Sequence, residues 1–397
     1  MASNNQSRSR IIWIVGGVAM LVFIGLCALV NWKSPEKADI SGHAKSLRKV
    51  TNATPSDPNR TAMQSHPIPT QHNEDHDEVL DSDTRDLCGI SGIDRVGQDN
   101  ETVQQHVTRI TNKAISAWKT TLLNSDDPRR HAVGLVLENA NPHFSGTDFA
   151  AADTRENNML VVLAIESNDP AIYALALGIC GKESMNMTAG PCQGLSVEHW
   201  AQIDPDNAIP WMWIASRANQ RGDYSVVNDA LVHATNAAKT QSYSDVFVSL
   251  GLDALPSKFS PLEKATAGAD LISVAPMGVP ITLTSLCSQA ATEAPLRKKQ
   301  CLAFANRLET QGTTILDVAI AQTLSQQLGW PEDRANALRL ELEFSQNVMR
   351  HYYPWSQPEA SEPFHCNKVQ RYNQLIDQLK ANKGNERDSY KNMSPMN

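Results

Sequence analysis

The chain has few aromatic residues, 6%, and no excess of basic ones: 35 Lys and Arg stand against 43 Asp and Glu, a formal charge of -8. A net-negative chain lacks the general electrostatic footprint of a nucleic-acid binder, so no nucleic acid is expected as a partner. Strand-like alternation with β-branched residues is nearly missing, which excludes sandwiches and barrels. Also missing are the phosphate-cradling spellings GxxxxGKS/T and GxGxxG, the metal-binding helix HExxH, the nucleophile elbow GxSxG and any CxxC pair. No cofactor or metal is therefore expected, and no standard catalytic mechanism has a foothold.

What is present begins with an uncharged run, IIWIVGGVAMLVFIGLCALV, at residues 11–30. About 20 helical residues rising ~1.5 Å each match a hydrocarbon core about 30 Å thick, so a transmembrane helix is expected over 11–31. Trp13 and Trp32 suit its two interfaces. The run is longer than the apolar core of a cleaved signal peptide and exits without a small-x-small site. Membrane lipid is thus one expected partner. Arg8 and Arg10 on one side are nearly balanced by Lys33, Lys37 and Lys45 on the other, so charge alone does not orient the helix.

Cysteine usage helps with orientation. Outside the membrane run lie Cys88, Cys180, Cys192, Cys287, Cys301 and Cys366, an even set that favours an oxidising compartment; buried reduced thiols are the alternative. Local pairing of Cys180 with Cys192 and Cys287 with Cys301 closes short loops and leaves Cys88 for Cys366, one of fifteen possible connectivities. The expected location is a bacterial inner membrane, with the C-terminal domain in the periplasm.

The expected organisation is a short tail (1–10), the anchor (11–31), a flexible polar stalk (32–86), a helical domain (87–380) and a disordered tail (381–397). The stalk carries five prolines and no apolar periodicity; its His72 and His76 among acids are read as a solvated linker, not a metal site. Beyond Cys88 the spacing turns helical. Val103, Val107, Ile110, Ala114, Ala117, Trp118 and Leu122 recur at steps of three and four, and similar faces follow in NMLVVLAIES, AIYALALGIC and WMWIASRA. An internal echo aligns LLNSDDPRRHAVGL with AIESNDPAIYALAL. In it, Asp127 and Asp169 fit helix caps, and Pro128 and Pro170 fit first helical positions, where no N–H is required.

Following Asp204-Pro205, the segment NAIPWMWIASRANQRGDYSVVNDALVHATNA resembles a tetratricopeptide repeat, with its best unit over 208–241. Trp211, Ile214, Ala215 and Ala218 fit the first helix, Gly222 and Tyr224 the turn, and Leu231 and Ala234 the second helix, while Val227 replaces the usual small residue. The resemblance implies an all-α fold of antiparallel helix hairpins stacked as an α-solenoid. It also implies a concave partner groove, whose positions correspond here to Ile209, Met212, Ser216, Asn219 and Gln220. An unknown protein or peptide partner of neutral or amphipathic character would suit that mostly uncharged set.

Other clusters carry less. Six histidines, at 131, 143, 199, 233, 351 and 365, are scattered singly, and the run His351-Tyr352-Tyr353-Pro354-Trp355 is either a binding patch or a lid over the last helix pair. Asp333, Glu341 and Glu343 are the acids a hydrolase of envelope polymers would need, on a helix whose charge pattern looks solvated. The expected function is a protein- or peptide-binding scaffold; such a hydrolase, or a purely structural membrane component, are the alternatives.

Overall fold

The computed structural model describes residues 88–89, 103–139, 155–180, 191–274, 282–288, 293–352 and 366–393. The expected anchor and stalk lie outside these, as do residues 353–365 with most of the aromatic run. No described helix is long and apolar enough to cross a membrane. The described residues form fifteen α-helices, one 3-10 turn and no strand, so the domain is all-α.

The N-terminal half holds α1 (Val103–Leu123), α2 (Pro128–Asn139), α3 (Arg155–Ser167), α4 (Pro170–Cys180), α5 (Val197–Ile203), α6 (Ala208–Gln220) and α7 (Tyr224–Asn236). Then come α8 (Ser244–Asp253), α9 (Pro261–Val274), the single turn α10 (Leu283–Leu286), α11 (Pro295–Gln311), α12 (Ile315–Leu328), α13 (Glu332–Tyr352), α14 (Cys366–Ala381) and α15 (Glu386–Lys391). On α1 the buried face is Val107, Thr111, Ile115, Trp118 and Leu122, whereas Ala117 faces solvent. Thr111 joins that face because its hydroxyl donates to Val107 O, 2.9 Å away, one turn back.

The echoed segments are helix starts. Asp127 Oδ1 accepts from Arg129 N at 2.9 Å, and Asp169 Oδ1 accepts from Ala171 N at 2.8 Å, with Pro128 and Pro170 opening α2 and α4. Arg129 then reaches across, its Nε 2.7 Å from Asp169 Oδ2, so one copy of the motif is tied to the other. Elsewhere Asn207 caps α6, Asp223 caps α7, and Thr314 with Asp317 forms a full capping box on α12.

Consecutive helices joined by short connections pack side by side as hairpins: α1 with α2, α3 with α4, α6 with α7, α11 with α12. The stack is not one-dimensional, however. In an open solenoid each repeat touches only its neighbours. Here α14 packs on α8, α9 and α13, α9 packs on α1 and α2, and α8 on α2, so late helices of the described residues join early ones through α8 and α9. Three disulfides staple this arrangement: Cys88–Cys366, Cys180–Cys192 and Cys287–Cys301, with Cα separations of 5.1, 5.7 and 5.9 Å. These are the expected partners, and the first spans 278 residues.

The expected disordered tail at 381–397 is corrected as far as residue 393. Residues 381–393 turn and form α15, burying Tyr390 and Met393. Arg387 donates from Nε and Nη2 to the two oxygens of Glu341, at 2.5 and 2.8 Å, and its backbone N donates to Thr313 O at 3.0 Å. Gly384 makes the turn possible. Its φ is +78°, and a Cβ there would lie 1.9 Å from Asp245 O on α8, so both conformation and space demand glycine.

Candidate functional site

The groove implied by the repeat resemblance is not open. Ile209 is 1% exposed, Met212 0% and Ser216 1%; Asn219 is half-buried, and Gln220 alone is exposed. Helices α5 and α7 and the short turn α10 all pack on α6, and Thr282 Oγ1, beside α10, is hydrogen-bonded to Ser216 Oγ. Trp211 is half-buried, stacked on His233 of α7 at 4.1 Å between ring centroids, and its Nε1 donates to Pro205 O at 3.1 Å. Val227, the departure from the small-residue pattern, is fully buried in the α6–α7 seam with Ala215, Ala218 and Leu231.

At one end of that hairpin sits a buried polar cluster that sequence spacing does not display. Asp204 Oδ2 accepts from Asn207 Nδ2 and from the Tyr243 hydroxyl, both at 2.8 Å, and its Oδ1 pairs with Lys239 Nζ at 2.8 Å. Asn207 also donates to Gln241 O and accepts from Gln241 N, alongside the isolated backbone bridge between Asn207 and Lys239. Burial, and then the adjacent Asp204 carboxylate, push the Tyr243 phenol far above its ordinary value, so it stays protonated and donates. Both oxygens of Asp204 and the Asn207 amide are already engaged within the cluster, so it joins the corner before α6 to the corner before α8. It is a clasp and not a reaction centre.

Of the acids considered for hydrolysis, Asp333 is exposed in the first turn of α13, and the other two are engaged. Burial raises the Glu341 carboxyl, but Arg387 and Lys391 outweigh it and hold the group below the usual range. Glu343 pairs with Arg339 at 2.6 Å, one turn away on α13. Asp317 of α12 and Glu386 of α15 are both raised by burial, Glu386 further by the charge of Asp317. Each is committed to backbone amides: Asp317 to Thr313 N and Thr314 N, Glu386 to Ile315 N. No group of three or more His, Cys, Asp or Glu that could hold a metal occurs among the described residues.

The open surface lies instead on α3. At about 100° per residue, Asn157, Leu160, Val161 and Ala164 fall on one side and are buried against α2, α4 and the 3-10 turn Pro191–Gly194. The opposite side is apolar too, and uncovered: Met159 is 37% exposed, Val162 50% and Ile165 47%. Met159 and Val162, with Leu163 and with His131 of α2, border an open groove of about 680 Å³, edged by Arg155, Asn158 and Glu166. Three large hydrophobes on one helix form an exposed apolar patch, unlike scattered exposed leucines. The sequence spells this helix as NMLVVLAIES, apolar on both sides. No family model matches the chain, and no curated protein or solved structure matches it.

Proposed function

We propose that the chain is a membrane-anchored, extracytoplasmic, helical-repeat protein that acts as a protein- or peptide-binding scaffold, with the outer face of α3 as its contact surface. The observation that carries this reading is the exposed Met159–Val162–Ile165 stripe on an otherwise capped and stapled helical frame. A rigid frame suits binding, because the surface is pre-organised and little ordering entropy is lost on association. The anchor rests on the 20-residue apolar run at 11–30. Placement of the domain in a bacterial periplasm rests on the paired cysteines, since disulfides persist in oxidising compartments. The tetratricopeptide likeness rests on the α6–α7 hairpin, and in this reading that hairpin is framework and not groove.

The test is site-specific photocrosslinking from the full chain in its membrane. A photoreactive side chain at Val162 is expected to give discrete adducts, and one at the sealed Ser216 none. Absence of adducts at 162, or equal labelling at both positions, would remove α3 as the contact surface.

A further inference from the structure

The residues that border the α3 groove have an internal symmetry. Arg155, Asn158, Met159, Val162, Leu163 and Glu166 are arranged in mirror order about the middle of the helix: Arg155 is as far from the centre as Glu166, Asn158 as Leu163, and Met159 as Val162. At about 100° per residue, Arg155, Met159, Val162 and Glu166 fall within roughly 60° of arc, opposite the buried side. Their spacing of four, three and four is that of a helix-pairing seam. Arg155 and Glu166 are exposed at the two ends, with no ion pair to any described residue.

We propose that the occupant of this face is a second copy of the same chain, with two α3 helices antiparallel across a two-fold axis. Two-fold interfaces are self-complementary: whatever residue i meets on its partner, that residue meets i in return. Antiparallel pairing about the helix centre sets Met159 against the partner's Val162 twice, which covers the apolar middle. The same register brings Arg155 to the partner's Glu166 at both ends, two opposite-charge contacts. A parallel pairing would oppose Arg155 to Arg155 and Glu166 to Glu166, so charge selects the antiparallel form. The inference rests on α3 being the contact surface and adds the identity of the partner.

Charge reversal tests it in the full chain, purified in a non-ionic detergent and followed by sedimentation velocity over a concentration series into the micromolar range. The wild type is expected to move from monomer to dimer. Arg155→Glu and Glu166→Arg, each alone, place like charges at both ends and should weaken the dimer at least about tenfold, while the double variant R155E/E166R restores it. Both positions are exposed, so unchanged thermal melts should accompany each variant. A monomer at every concentration, a dimer indifferent to Arg155→Glu, or a double variant that fails to recover overturns the proposal. The Val162 photoadduct separates the two readings: a product of two chains supports self-association, an adduct with another protein overturns it but leaves α3 as the contact surface, and no adduct overturns both.

Discussion

Helices α6 and α3 are each 13 residues long and apolar around much of their circumference, yet they end in opposite situations. α6 is enclosed by α5, α7 and α10, so that the positions expected to line a groove become core. α3 is covered by α2, α4 and a 3-10 turn on one side, and on its other side Met159, Val162 and Ile165 stay partly exposed. The better-spelled helix is therefore the structural one, and the plainer helix carries the open surface. What separates them is how many neighbours pack on each, including the four-residue turn α10, whose position in the fold no local periodicity encodes.

The contrast can be broken from the buried side first. Met212→Ala removes a fully buried side chain from α6 and should cost about 2–5 kcal/mol in denaturant unfolding. A solvent-facing groove would give almost no change. Trp211→Ala should cost less, about 1–3 kcal/mol, because the indole is only half-buried although it stacks on His233; a harmless outcome in the same assay would remove the hairpin as framework.

A pH series sharpens the contrast at the other end of the framework, where α15 docks. Burial raises the Glu386 carboxyl, so the folded state takes up a proton before the unfolded state does as pH falls. Melting temperatures of the wild type relative to Glu386→Gln should accordingly rise as pH falls from neutral towards 4.5, the ordinary Glu value, and level off below it. Glu341 works in the opposite sense: its lowered carboxyl stabilises above that value and the contribution is lost in acid. A wild-type-minus-variant difference that is flat with pH would mean the Glu386 site is wet. Smallest of all is α3: Val162→Asp should leave stability within about 0.5 kcal/mol while abolishing contact-surface adducts from a neighbouring probe at Met159. Appreciable destabilisation would show that this face is already covered.

Much of the frame was legible in the chain. Asp127-Pro128 and Asp169-Pro170 announced helix starts because a carboxylate facing free amides, followed by a residue that needs no amide, is a local solution. The short cysteine spacings anticipated two of the bridges, and elimination the third. The candidate site was not legible in the same way. Ile209, Met212 and Ser216 sit where a repeat would present a groove, and only the packing of α5, α7 and α10 on α6 shows that they are sealed. Nor could the polar stretch NKGNERDSYK be recognised as docked, since α15 is held by Arg387, Glu341 and Glu386 and by the single buried ring of Tyr390, with no apolar stripe to announce it.

The sequence by itself determined the all-helical character, the caps, the hairpin connections and a chain free of basic excess, because each follows from interactions within a turn or two or from simple composition. Tertiary structure decided which apolar faces are core and which are surface, that the last helices return to α8 and α9, and that the acids of α12, α13 and α15 are tied to amides and arginines. Periodicity records how much burial a helix can use. Which neighbour supplies it depends on contacts between residues far apart in the chain, and those exist only once the chain has closed.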